Sequence, residues 1–162
     1  MIGSLTPKMD YLDYFGFDIE PFTPAPLPRF YFASEQHSRA LQRLEYSVSR
    51  MQGLALLVGE IGRGKSTLAR RLLDALPPKE FEAALLVIIH AGITPSWLVK
   101  RIAMQLGVKE PVDEKTGLMT QLYQRLVEIK KEGRKAVVLV DEAQMLNSRE
   151  IMEEFRGMLN LE

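Results

Sequence analysis

Residues 59–66 form a glycine-rich segment ending in a lysine and a serine, residue types that can bind phosphate. The spacing is Gly59, four residues, then Gly64, Lys65 and Ser66, which is typical of a phosphate-binding loop. Glycines let the backbone N–H groups turn toward phosphate oxygens at the positive end of the next helix. The lysine then reaches the β- and γ-phosphates, and the serine hydroxyl is a Mg²⁺ ligand. The segment predicts a site for ATP with Mg²⁺, made by Gly59, Glu60, Ile61, Gly62, Arg63, Gly64, Lys65, Ser66 and Thr67.

Two adjacent carboxylates, Asp141 and Glu142, follow the apolar run 137–140. At the end of a buried strand, Asp141 is expected to lie near the Mg²⁺ as a metal residue, and Glu142 to polarise the attacking water. Glu142 and Lys65 are therefore the predicted catalytic residues. Because paired acids are also common at the start of a helix, this interpretation depends on their combination with the phosphate loop.

His90 and Arg63 are weaker candidates. His90 follows an apolar run, and ligand sites gather at the carboxyl ends of parallel strands, so it is a candidate sensor that holds Glu142. A solvated histidine at a strand end is the alternative. For Arg63 we expect a surface cation on a tight loop, with contact to phosphate or to a neighbouring subunit as the alternative.

The elements that must position these residues are predicted from apolar patterns and end signals. Strands are expected at Leu54–Val58, at Ala84–Ile89 and at Ala136–Val140, the last two with the continuous apolar character of a parallel sheet. Helices are expected from Ser34 to Met51, Thr67 to Leu76, Thr94 to Leu106, Lys115 to Glu132 and Asn147 to Leu159. This alternation predicts an α/β fold with helices on the faces of the sheet.

The first part of the chain, residues 1–33, is rich in prolines and aromatic residues and is predicted to be an extended arm. Residues 34–162 are predicted to be the core. Basic and acidic residues both total 21, so no overall charge draws the chain onto nucleic acid or a membrane. There is no cysteine, and the longest apolar run is far shorter than the ~20 residues of a membrane-spanning helix. We expect a cytoplasmic protein with no membrane segment.

The sequence resembles the AAA+ ATPases of the general secretion pathway protein A type, which are similar to ATPase subunits of some transposition systems. The resemblance rests on Tyr14-Phe15-Gly16-Phe17, on the phosphate loop and on Asp141-Glu142-Ala143-Gln144. It implies a P-loop NTPase of the AAA+/ASCE type, a three-layer sandwich with a parallel sheet. It also implies that Lys65 and Ser66 bind phosphate and Mg²⁺, that Asp141 supports the metal and that Glu142 is the catalytic base. Arg63 and His90 depart from the usual family residues.

Family members continue beyond this sequence into a sensor strand and a helical lid, so we expect a partial ATPase core with a gap in the middle of its sheet. The alternative is a reduced domain in which the strands at Leu54–Val58 and Ala136–Val140 close up. The leading functional hypothesis is a Mg²⁺-dependent ATPase acting as a switch or motor in an assembly or by self-association. The alternative is a nucleotide-dependent binding module with little or no hydrolysis. A small-molecule kinase is a third, weaker hypothesis, and DNA is a weakly supported partner.

Overall fold

The structure, a computed structural model, describes residues 10–22 and 30–159. By its internal contacts the protein divides into two units, Met1–Ala33 and Ser34–Glu162. In the first unit, the described residues contain a short helix, α1 (Tyr11–Phe15), which ends at Gly16. The extended path predicted for this region is therefore wrong at α1, where a proline-free segment forms a helical turn. Four prolines of the predicted arm lie outside the described residues, namely Pro7, Pro24, Pro26 and Pro28.

The second unit is built around two parallel strands, β1 (Phe81–Val87) and β2 (Lys135–Asp141). They pair in register from Phe81 opposite Lys135 to Val87 opposite Asp141. Both strands consist mainly of apolar residues, as expected for strands covered on both faces. The predicted parallel pairing is confirmed, and it puts Asp141 at the carboxyl end of the sheet.

In the described part of the second unit, α-helices follow the predicted order. They are α2 (Glu35–Ser49), α3 (Lys65–Ala75), α4 (Pro95–Gln105), α5 (Lys115–Lys131) and α6 (Arg149–Met158), with a 3-10 turn at Ala143–Met145. Hydroxyl side chains cap several of them, as Thr94 does for α4 by accepting the N–H of Trp97. The start predicted at Asn147 is wrong, because Ser148 caps α6. None of the helices in the described residues is long and apolar enough to cross a membrane.

Strand side chains alternate between two apolar clusters, one on each face of the sheet. One cluster joins α4, α5 and α6 to the face that carries Ala84, Leu86 and Ile88. The other joins α2 and α3 to the opposite face, where Leu72 and Leu76 pack against Phe81. Helices on both faces of a parallel sheet give the three-layer α/β arrangement that was predicted.

The strand predicted at Leu54–Val58 is not present, and that prediction is wrong. Residues 54–58 have no regular structure, and the side chains of Leu56 and Val58 are 76% and 87% exposed. Within the described residues, the sheet contains β1 and β2 alone. A strand needs a neighbour for its backbone hydrogen bonds, so an apolar run does not make one without a partner.

A groove of about 890 Å³ lies beside β2. It is lined by Leu54 and Ala55, by Val137 and Leu139 of β2, and by residues of α2 and α5. The hypothesis that the strands predicted at Leu54–Val58 and Ala136–Val140 close up is wrong, because residues 54–58 do not pair with β2. The expected gap beside the strand that carries Asp141 is present.

Candidate nucleotide-binding site

The phosphate-loop residues form a tight turn directly before α3. Gly62 and Gly64 have φ angles of 79° and 78°, a left-handed conformation that residues with a Cβ rarely adopt. Gly64 precedes the helix, and its carbonyl accepts the N–H of Leu68 at 2.9 Å. The loop backbone therefore lies at the positive end of α3, where anions are favoured.

Lys65 holds its ammonium group inside the turn of the loop. Its Nζ donates hydrogen bonds to the carbonyl oxygens of Gly59 and Glu60, both at 2.9 Å. Ser66 and Thr67 follow in the first turn of α3 and are half-buried. The loop thus brings one cation, one hydroxyl and the helix N-terminus together, which is the donor set that a polyphosphate requires.

Arg63 and Glu60 pair with each other on the outside of the loop. Arg63 Nη2 lies 2.7 Å from Glu60 Oε2, and the two side chains are 71% and 78% exposed. An exposed ion pair of this kind contributes little to stability. Ile61, between them in the sequence, is also exposed. These positions agree with the interpretation of Arg63 as a surface cation.

Helix α3 joins the loop to the sheet. A short link, residues 76–80, joins α3 to β1, and Leu76 packs against Phe81 at the start of that strand. In parallel α/β folds a helix joined to the next strand by a short link runs back along the sheet, so we expect the start of α3 on the edge that carries Asp141. In the described part of the chain, no hydrogen bond joins residues 59–66 to Asp141 or Glu142.

The two carboxylates leave β2 through a strained turn. Asp141 is half-buried, its carbonyl accepts the N–H of Ile88 at 3.1 Å, and its Oδ1 accepts the N–H of Glu142 at 3.0 Å. Glu142 has φ 57° and ψ 34°, a left-handed conformation that is unfavourable for a residue other than glycine. Its exposed carboxylate accepts a hydrogen bond from the Gln144 amide. Strained backbone of this kind is concentrated at functional sites.

Residues 48–162 match a protein-family model described as an AAA domain. The chain belongs to the AAA family. The matched residues include the phosphate loop, both strands and both carboxylates, and they make up more than half of the chain. This protein is therefore a nucleotide-binding domain of the P-loop NTPase fold, related to ATPases.

A relative supports the same assignment. Over 155 residues the chain is 34% identical to "General secretion pathway protein A" of Aeromonas hydrophila. The aligned part is 94% of this chain but 27% of that protein, so the chain spans about a quarter of its relative. No solved structure matches the chain significantly. The resemblance predicted from the sequence is confirmed.

His90 follows the carboxyl end of β1 along the chain. Its exposed ring lies edge-on to Trp97, with 5.9 Å between the ring centroids. Gln144, and not His90, donates to Glu142 in the described structure. The sensor role of His90 stays a prediction, and its observed neighbour is the aromatic side chain at the start of α4.

The Mg²⁺ predicted for the AAA domain fits the donors that are present. Ser66 offers a hydroxyl and Asp141 a half-buried carboxylate, which are the hard oxygen ligands that Mg²⁺ prefers. Among the described residues, no three His, Asp or Glu side chains come together to hold a metal ion by themselves. One or two protein oxygens are what Mg²⁺ uses when phosphates and waters complete its shell.

Sequence reasoning missed His37, and it named Gln144 without assigning it a contact. His37 Nε2 lies 3.0 Å from the carbonyl oxygen of Arg63 in the phosphate loop. Gln144 follows the paired carboxylates in the sequence, but its contact with Glu142 depends on the left-handed turn at that residue. His37 is 26 residues from Arg63 along the chain, and the local pattern of α2 does not indicate the contact.

Proposed function

We propose that this AAA domain binds ATP with Mg²⁺ at residues 59–67 and hydrolyses it as a switch or motor in an assembly. The observation that carries the proposal is the position of the Lys65 ammonium, which lies between the carbonyls of Gly59 and Glu60 inside a glycine turn. Neutral carbonyls are weaker partners for an ammonium than phosphate oxygens are. Binding of ATP therefore exchanges these two hydrogen bonds for stronger charged ones.

Each residue of the proposed site has a distinct task in hydrolysis. Loop N–H groups and Lys65 bind the β- and γ-phosphates, and Ser66 and Asp141 would hold the Mg²⁺, which supplies charge neutralisation on the phosphates. Glu142 accepts a proton from the water whose oxygen attacks the γ-phosphorus. The bond from that phosphorus to the β–γ bridging oxygen breaks, giving ADP and phosphate. Gln144 holds the Glu142 carboxylate before the reaction.

The proposal is tested by measuring ATP binding and phosphate release with the wild type and with Glu142→Gln. We expect the variant to bind ATP with an affinity within about threefold of the wild type, because Glu142 does not belong to the phosphate loop. Phosphate release should fall by about 10²–10⁴-fold, the usual contribution of a general base. Turnover that Glu142→Gln leaves unchanged would remove Glu142 from the mechanism.

A binding module with little or no hydrolysis is the second candidate. It is favoured by the absence, within the described residues, of a hydrogen bond between the loop and the two carboxylates. It predicts that ATP and a non-hydrolysable analogue raise the unfolding temperature equally while no phosphate is released. A rate of phosphate release that rises in proportion to the protein concentration would rule out the binding module.

The wider context is also a proposal. ATPases of this family work in assemblies, and we propose self-association or a larger complex for this domain, with residues 1–33 as an arm and 34–162 as the ATPase core. DNA is a weaker candidate partner, tested by a salt titration in which real binding weakens steeply as salt rises. The cytoplasmic location predicted from the sequence stays a prediction.

A further inference from the structure

We propose that His37 is a positioning residue of the phosphate loop, which directs a backbone N–H of the loop toward bound phosphate. This inference rests on the proposed binding of ATP at the loop. His37 lies in the first turn of α2, and its backbone N–H is accepted by the capping hydroxyl of Ser34. Its side chain reaches across to the loop, where Nε2 lies 3.0 Å from the carbonyl oxygen of Arg63.

The direction of this hydrogen bond follows from its partners. A backbone carbonyl oxygen is an acceptor, so the imidazole nitrogen in contact with it must carry a proton. His37 therefore holds its proton on Nε2 while the contact is made. The half-buried ring also fits closely beside Gly64, since a Cβ added there would lie 3.2 Å from His37 Cε1. A glycine at this position lets the ring approach the peptide between Arg63 and Gly64.

The consequence for phosphate binding comes from the geometry of that peptide. The described chain contains no cis peptide bond, so the Arg63 carbonyl and the Gly64 N–H point in opposite directions. Because His37 holds the carbonyl, the N–H of Gly64 is turned away from α2. Gly64 directly precedes α3, and N–H groups at this place in a glycine-rich loop are the ones that bind phosphate. His37 fixes that N–H before the ligand arrives.

Two variants separate hydrogen bonding from packing. His37→Phe keeps a ring beside Gly64 without a donor, and His37→Gln keeps an N–H donor near the position of Nε2. We expect the dissociation constant for ATP to rise about tenfold in His37→Phe, the effect of one hydrogen bond. His37→Gln should restore affinity to within about threefold of the wild type. Gln36→Phe places the same ring on the neighbouring exposed residue of α2 and is the matched control.

The outcomes distinguish this inference from the proposed function. Equal ATP affinities for wild type and His37→Phe would overturn the role of His37, and so would equal losses in His37→Phe and His37→Gln. A wild type that binds no ATP would overturn the function itself. The chain has two histidines, so ¹⁵N chemical shifts of the imidazoles give the tautomer of His37 without any ligand. A proton on Nδ1 and none on Nε2 would contradict the hydrogen bond even if a variant failed to fold.

Discussion

The two halves of the candidate site are supported in different ways. Asp141 ends a strand that pairs with β1 and is packed between helices on both faces. The phosphate loop follows residues 54–58, which have no regular structure and are mostly exposed. The loop is held by local contacts, by α3 and by the hydrogen bond to His37. The carboxylates are thus positioned by tertiary packing, whereas the loop takes its shape from glycines and a helix start.

This difference teaches that a strand and a phosphate loop have separate physical requirements. The turn at Gly62 and Gly64 needs a conformation that glycine adopts without strain, so it forms without a neighbouring strand. An extended segment such as 54–58 satisfies its backbone only beside another strand. The loop keeps the form of a phosphate site although the strand before it is absent.

The largest expected effect compares one leucine from each region. Leu72 is 1% exposed under the sheet, and Leu72→Ala should lower the free energy of unfolding by about 2–5 kcal/mol. Leu56 is 76% exposed, and Leu56→Ala should change it by no more than about 0.5 kcal/mol. Urea unfolding of both variants measures the difference. A loss at Leu56 equal to the loss at Leu72 would mean that residues 54–58 are packed in solution.

The second prediction concerns the charge inside the loop. Lys65→Ala should raise the dissociation constant for ATP by about 30–150-fold, the effect of losing hydrogen bonds to a charged group. Its effect on folding should be small, because the present partners of Nζ are two loop carbonyls. Calorimetric titration measures the affinity. Lys79→Ala, at an exposed lysine after α3, is the control, and an equal loss there would point to overall charge instead of the loop.

Helix caps on the two sides allow a matched comparison. Ser34 caps α2 on the loop side, and Ser148 caps α6 on the strand side, each through a hydroxyl that accepts a backbone N–H. Alanine at either position should lower the free energy of unfolding by about 1 kcal/mol. Only Ser34→Ala should also weaken ATP binding, by about twofold to fivefold, because that turn of α2 carries His37. Equal ATP affinities in the two variants would mean that the start of α2 does not influence phosphate binding by the loop.

The limits of sequence prediction follow the same division. Helices α2 to α5 have apolar faces and polar or glycine ends, so their existence could be predicted from local patterns. The pairing of β1 with β2 followed from two apolar runs in an alternating order. The state of residues 54–58 depends on a neighbour, and the contact between Gln144 and Glu142 depends on the left-handed turn at Glu142. Neither is contained in the type of the residue itself.

The smallest expected effect is electrostatic and lies in the packed region. Glu114 caps α5 by accepting the N–H groups of Thr116 and Gly117 at 2.8 and 2.6 Å. These hydrogen bonds lower the pKa of the Glu114 carboxyl, and the bond from Thr116 makes the largest contribution. Because the folded-state pKa is depressed, the charged cap stabilises the fold above the ordinary pKa of a glutamate. That stabilisation is lost as the pH falls through the lowered pKa.

Glu114→Gln should therefore lower the unfolding temperature slightly at neutral pH, and the difference from the wild type should close as the pH falls below about 4. Thermal unfolding at a series of pH values measures it, with Glu110→Gln in the same loop as the control. Glutamine keeps one acceptor oxygen in place of two and carries no charge, so the variant removes the attraction to the helix N-terminus together with one of the two hydrogen bonds. A difference that persists at acid pH would assign the cap to hydrogen-bond geometry instead. The N-terminus of α3 would then be the more informative place to measure such a charge effect, because there the anion is the ligand.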